Sequence, residues 1–395
     1  MTAQAYQAPE SISRLQQRAL IVGVVGVILS LIALVRSPER FFHSYLIAFL
    51  FILGLSLGSL GLLMLQHLTS GHWGIMIRRP LEAAVRTLWL VALLFLPIIL
   101  GMKYLYSVWL TAPPAGELAL SHFQKSYLTP QNFILRAILY FVVWLLLATT
   151  LLRWSRRQDV ETGNRLLRRN FKMLSGPGII LYVFGVGFAS IDWAMSLSPH
   201  WFSTIYGFIL VAGEVISSLC LVIVMLVLLA RTEPMAGIIQ HRHLHDLGKL
   251  LLTFVMLWAY FSFSQLLIIW SGNLPDEISF YRSRLYGGFG AVAILVVLFH
   301  FFTPFFMLLS ANLKRSPKLL PMVAFLLVFM RLVDLFWNTR PDLTPQNALP
   351  NWVDVVVLLA VIGLWLAFFA RNLKRLPLLP LGDPKLEEAI EVHEY

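Results

Sequence analysis

Residues 201–225 read WFSTIYGFILVAGEVISSLCLVIVM, an apolar run long enough to cross a bilayer and interrupted by one glutamate, Glu214. Crossing the hydrocarbon takes about 20 mostly apolar residues. A carboxylate halfway along such a run is expensive and persists only by protonation, by pairing or by contact with water. The stretch therefore decides two things: the chain spans a membrane, and something inside the protein must compensate for its acid.

The rest of the sequence agrees. Its 395 residues are 58% hydrophobic and 13% charged, with a mean hydropathy of +0.76, whereas soluble domains carry about 25% charge. Ten spans are predicted, at roughly 17–35, 42–66, 84–106, 132–153, 174–196, 202–230, 248–271, 284–309, 318–338 and 351–371. Continuous apolar runs, not ten-residue alternating ones, exclude a barrel. The expected fold is an all-α integral membrane protein of about ten transmembrane helices. A tail over 1–16, a ten-span domain over 17–371 and a tail over 372–395 make it up. The first span lacks a small-residue cleavage site, so no removed signal peptide is expected.

A net charge of +11 would suit nucleic acid, but its placement points to a membrane surface. With ten spans, both termini share one side with loops 67–83, 154–173, 231–247 and 310–317. At least 21 of the 31 Lys and Arg lie there or at the adjoining helix ends, including Arg153, Arg156, Arg157, Arg165, Arg168, Arg169 and Lys172. The opposite loops hold few: Arg36, Arg40, Lys125, Arg282, Arg284 and Arg340. Positive residues mark the cytoplasmic side, so both termini are expected in the cytoplasm of a multi-pass chain. The basic patches then face anionic lipid headgroups or an acidic partner surface, and no nucleic acid. The turn-rich TAPPAGEL at 111–118 reads as an external loop.

Cofactor chemistry is sparse. Cys220, the one cysteine, lies in the sixth span, which leaves no intrachain disulfide and no self-sufficient iron–sulfur cluster; it reads as a small apolar core residue. HRHLHD (241–246) resembles a metal-binding tract but reads as a short turn without helical ligand spacing. A b-type haem would need His43 and His300 to face each other across the bundle. No metal or haem is expected on this chain.

The intramembrane ionisable residues are the functional candidates. At 100° per residue, Ser203, Gly207, Glu214 and Ser217 fall on one stripe of an otherwise apolar span, so Glu214 is expected to face the bundle near the midplane. Proton handling and a structural hydrogen bond are both open to it. Asp192 stands near the end of the fifth span, with Trp193, His200 and Trp201 following. An aspartate and a histidine near an interface can hold a quinol headgroup, while tryptophan there is ordinarily an anchor. His300, within LFHFFTPFF, is either a proton carrier or a packed ring. Arg331 and Asp334, three apart, can pair on one helix face. His43, opening the second span, carries the same doubt as His300. Gly54 and Gly58 form a small-residue face on which helices approach closely.

SGPGIILYVFGVGFASIDWAMSLSPHWFSTIYG (175–207), LGKLLLTFVMLWAYFSFSQLLIIWSGNLPDEI (247–278) and IRRPLEAAVRTLWLVALLFLPI (77–98) resemble the NrfD/PsrC-like membrane subunits of alternative complex III. The likeness extends over about 40–340, and the length is closest to the second of that complex's two such subunits. It implies two four-helix bundles plus a flanking helix pair, in the cytoplasmic membrane of a bacterium. It also implies a place in a quinol:electron-acceptor oxidoreductase beside a paralogous subunit, an iron–sulfur protein and c-type cytochromes. Haem c and iron–sulfur clusters would sit in those partners; quinol or quinone is a ligand this chain can share. Glu214, Asp192 and His300 would then be candidates for a proton route. An ion-coupled secondary transporter and a purely structural scaffold are the competing readings.

Overall fold

A computed structural model describes residues 6–111, 120–161, 164–344 and 349–390; most of the TAPPAGEL loop and the Arg165 side chain lie outside the described part. Among the described residues, ten helices are long and apolar enough to cross a membrane. They are α1 (Glu10–Arg36), α2 (Pro38–Thr69), α3 (Arg78–Leu100), α4 (Pro130–Val160) and α5 (Arg165–Trp193). The second half holds α6 (Tyr206–Ala230), α7 (His241–Gly272), α8 (Phe289–Leu309), α9 (Leu319–Leu343) and α10 (Trp352–Leu373). The fold is an all-α integral membrane fold, as the continuous apolar runs predict.

Helix ends follow local chemistry. Ser37 is the single residue between α1 and α2, and Pro38 starts α2 because its missing N–H lacks a helical partner there anyway. Thr129 caps α4, Asn164 caps α5, and Asn351 and Asp354 form a reciprocal capping box on α10. Two spans are irregular. The third continues past Leu100 to Leu110 as short helical pieces with turns near Leu94, Gly101 and Tyr106. The eighth has a π-helical turn over Val297–Phe302.

Contacts sort the spans into two bundles and a pair. One bundle is α2–α5, the other α6–α9, and α1 packs chiefly on α10. Helix α2 touches α1, α3, α5, α6, α9 and α10, and its apolar stretch is completely buried. A helix buried all round must be apolar all round, which its sequence is. In the α1–α10 pair, a Cβ on Gly23 would lie 2.8 Å from the backbone nitrogen of Leu364, and one on Gly363 2.6 Å from that of Gly23. Backbone meets backbone there, and no larger residue fits.

Both tails meet on one face, the tail face, where the Leu378 amide donates to the Tyr6 carbonyl at 2.8 Å. The opposite surface is called the far face. Trp109 and Arg157 end spans of opposite direction, so reporter fusions at these positions are expected to report opposite sides of the membrane. The same side for both would overturn the ten-span topology.

Candidate functional site

Glu214 sits on α6 eight residues after Tyr206, roughly 12 Å into the helix, and is 5% exposed. The Tyr182 hydroxyl of α5 donates to its Oε2 at 3.0 Å. Helix α2 closes over it: a Cβ on Gly58 would fall 2.2 Å from the Glu214 carbonyl oxygen. The small-residue face of α2 thus exists to admit the α6 backbone at its acid. On the other side, the Arg331 guanidinium of α9 lies against α6, 2.3 Å from where a Cβ on Gly213 would be. Its charge is within electrostatic reach of Glu214.

From Arg331 a polar column runs toward the far face. Arg331 Nη1 donates to Asp334 Oδ2, and Asn338 Nδ2 donates to Asp334 Oδ1 at 3.0 Å. The Asn338 carbonyl accepts from Arg284 Nη2 at 2.6 Å. Arg284 in turn holds Asp342, donating to its Oδ1 at 3.2 Å and pairing with its Oδ2. Ser198, beyond the end of α5, donates to Asp342 Oδ1 at 2.7 Å. Residues 331, 334, 338 and 342 occupy one face of α9 by their three- and four-residue spacing, over about 16 Å at 1.5 Å per residue.

His300 adjoins this column. The π-helical turn carries it inward, its ring centroid is 4.3 Å from that of Trp258, and it is fully buried. Neither ring nitrogen has a well-aligned hydrogen-bond partner. Asp334, Arg331 and the backbone of Met330 lie within its reach. Single π-helical turns within α-helices recur at functional sites.

Several sequence expectations need correction. Ser203 is not on the Glu214 stripe, because the chain is non-helical until Tyr206. It donates instead to Gln265 Oε1 at 2.9 Å, and Gln265 donates to the Tyr281 hydroxyl at 3.3 Å. Burial pushes that hydroxyl up to about 12, against the opposing hydrogen bond from Gln265. Ser217 is buried but turns back on its own helix, donating to the Gly213 carbonyl at 2.8 Å. HRHLHD is no turn; it opens α7. No group of three or more potential metal ligands occurs among the described residues.

Asp192 belongs to the first bundle and is already saturated. Arg136 donates to both of its oxygens, at 2.8–3.2 Å, and the Tyr140 hydroxyl donates at 2.7 Å. The Arg136 guanidinium also covers the Tyr127 ring at 3.7 Å. Burial and the nearby Asp192 charge push the Tyr127 hydroxyl up to about 12. His200 is exposed, and Trp201 stacks on Phe280 with centroids 3.8 Å apart. Neither shares the polar contacts of Asp192. His43 is buried on α2, where its Nε2 lies 3.2 Å from the Tyr104 carbonyl oxygen.

Arg284 and Arg340, counted above as external loop charges, are interior. Arg340 pairs with Asp354 at 3.1 Å, and Ser44 donates to the same carboxylate oxygen at 2.5 Å. A second network escaped sequence reading altogether. Near the tail face, Arg78 binds Glu82, Ser155, Gln158 and Asp383, while Arg79 binds Glu82, Ser155 and Asp159. Its one legible signal is the spacing of Arg78, Arg79 and Glu82 on a single helical turn. No protein-family model matches the chain and no curated protein matches it significantly, so the geometry of the buried polar groups carries the functional reading.

Proposed function

We propose that this chain is the proton-conducting membrane subunit of a respiratory quinol:electron-acceptor oxidoreductase, with no redox cofactor of its own. The observation that carries the reading is the polar column from Glu214 and Arg331 at mid-membrane to Asp342 and Ser198 at the far face. A buried acid beside a guanidinium has a counter-charge whenever it gives up its proton, and the hydroxyl of Tyr182 holds its orientation. The quinol half of the proposal rests on the NrfD-like stretches alone. By that likeness, quinol is oxidised in a companion chain next to an iron–sulfur protein, c-type haems take the electrons, and the membrane is bacterial; the excess of Lys and Arg at the tail face favours its being cytoplasmic. The irregular turns of α3 and α8 occupy the second place of one bundle and the third of the other. That mismatch gives a transporter with broken helices in matched halves no support.

Glu214→Gln keeps shape and hydrogen bonding and removes the titrating proton. In the assembled complex in liposomes it is expected to cut turnover-linked proton movement by roughly tenfold or more and to leave quinol affinity nearly unchanged. Unchanged proton movement with a large loss of quinol binding would overturn the assignment; if both stay normal, Glu214 is structural. The purified chain alone is expected to show no Soret absorption, and a Soret band refutes the absence of haem.

A further inference from the structure

After α10 the described part of the chain runs back over the protein. Residues 374–390 cross the tail face as a strap joining both bundles. Arg78 Nη1 donates to Asp383 Oδ2 at 2.9 Å, and Lys385 Nζ donates to the Ser70 carbonyl at 2.8 Å. Further on, the Ala389 carbonyl accepts from Arg242 at 2.8 Å and lies 3.1 Å from His243 Nε2. The strap lies directly on α4: a Cβ on Gly382 would fall 1.7 Å from the Gln158 carbonyl oxygen.

Under it is a cavity of about 30 Å³ walled by Gln66, His67, Arg78, Phe171, Asp383 and Lys385. A water needs about 10–15 Å³ and two or more polar partners, so the cavity has room for about two. Two buried wall residues end in atoms without partners, His67 Nε2 and Gln66 Oε1, at 6% and 4% residue exposure. The His67 ring is fixed by stacking on Phe171 with centroids 4.2 Å apart. Buried polar groups left unpaired by protein are ordinarily paired by water.

We infer that this cavity is a water-binding proton port at the tail face, with His67 its proton-carrying group and the 374–390 strap its lid. The inference rests on the proton-conducting reading above and deepens it by naming the entry. Histidine suits the role because a neutral imidazole accepts a hydrogen bond at one ring nitrogen and donates one at the other, so a proton can be taken up on one side and released on the other. Toward mid-membrane, the Tyr182 ring that holds Glu214 packs against Gly61 of the same helix as His67. The step of six residues from Gly61 to His67, roughly 9 Å, includes the buried, apolar Met64. His67 is therefore a loading position at the mouth, not a link in a preformed wire.

Two measurements on the full chain separate the parts. Diethyl pyrocarbonate labelling, read by mass spectrometry, is expected to modify His67 far more slowly than the exposed His200. Gly382→Leu, which lifts the strap, is expected to raise the His67 rate by roughly tenfold and leave His200 and His300 as they were. An unchanged His67 rate, or a rise shared by the buried His300, overturns the lid. In the assembled complex, His67→Gln is expected to slow proton uptake from the tail face by about tenfold. If Glu214→Gln blocks proton movement and His67→Gln does not, the port falls and the route stands. If neither does, both fall.

Discussion

Arg331→Leu is expected to destabilise the protein by roughly 3–5 kcal/mol, the cost of leaving a buried ion without its partner. Asp334 would keep only Asn338 for its carboxylate, at 1% exposure, with lipid and not water outside the bundle. The guanidinium also covers Gly213, so the leucine would leave a polar hole against the α6 backbone as well. Replacing both partners, Arg331→Leu with Asp334→Leu, removes the orphaned charge and is expected to recover most of the loss, since buried pairs are often no more stable than apolar pairs of similar volume. Reversible unfolding in bicelles measures all three proteins. A single variant within about 1 kcal/mol of the parent would mean that water reaches Asp334.

Gly58→Leu is expected to come next, at about 3 kcal/mol, near the upper end for overpacking. Most large-for-small substitutions are eased by a side chain moving aside. Here the obstacle is the Glu214 carbonyl, with the Ser218 hydroxyl 2.6 Å from the added Cβ, and backbone in the middle of a helix cannot yield alone. The two bundles must part at the α2–α6 contact, which would also loosen the Tyr182–Glu214 hydrogen bond. The same unfolding assay, with proton movement in liposomes as a second readout, checks both consequences. Parental stability would show that α2 and α6 do not pack as closely as described.

The ten spans were legible because a bilayer demands one property, sustained apolarity, which composition records residue by residue. Glu214 and the Arg331–Asp334 pair were legible for the converse reason: a charge inside such a run must turn inward, and a three-residue spacing puts opposite charges on one helix face. What stayed hidden depends on partners far apart in the chain. Nothing near Asp192 announces Arg136, 56 residues away, and Arg78 meets Asp383 across 305. Arg284 and Arg340 were counted as loop charges because both stand at span ends, where sequence cannot separate a solvated side chain from one folded back under the helix. Ser203 falls on the Glu214 stripe only if the helix is extended back through residues that are not yet helical. The tail strap held its contacts largely through backbone carbonyls, which every residue has.

The pairing of Gly23 with Gly363 has a bearing on how the molecule is made. The positions are 340 residues apart by their numbers, so at roughly 5–20 residues per second the ribosome needs about 17–70 s to pass from one to the other. During that interval α1 is in the bilayer without its principal neighbour, its small-residue groove facing lipid or whatever other helix diffuses past. A segment inserted early is thus seated late. The pair can form only after α10 has been made, and a factor that shields α1 meanwhile would act on this groove.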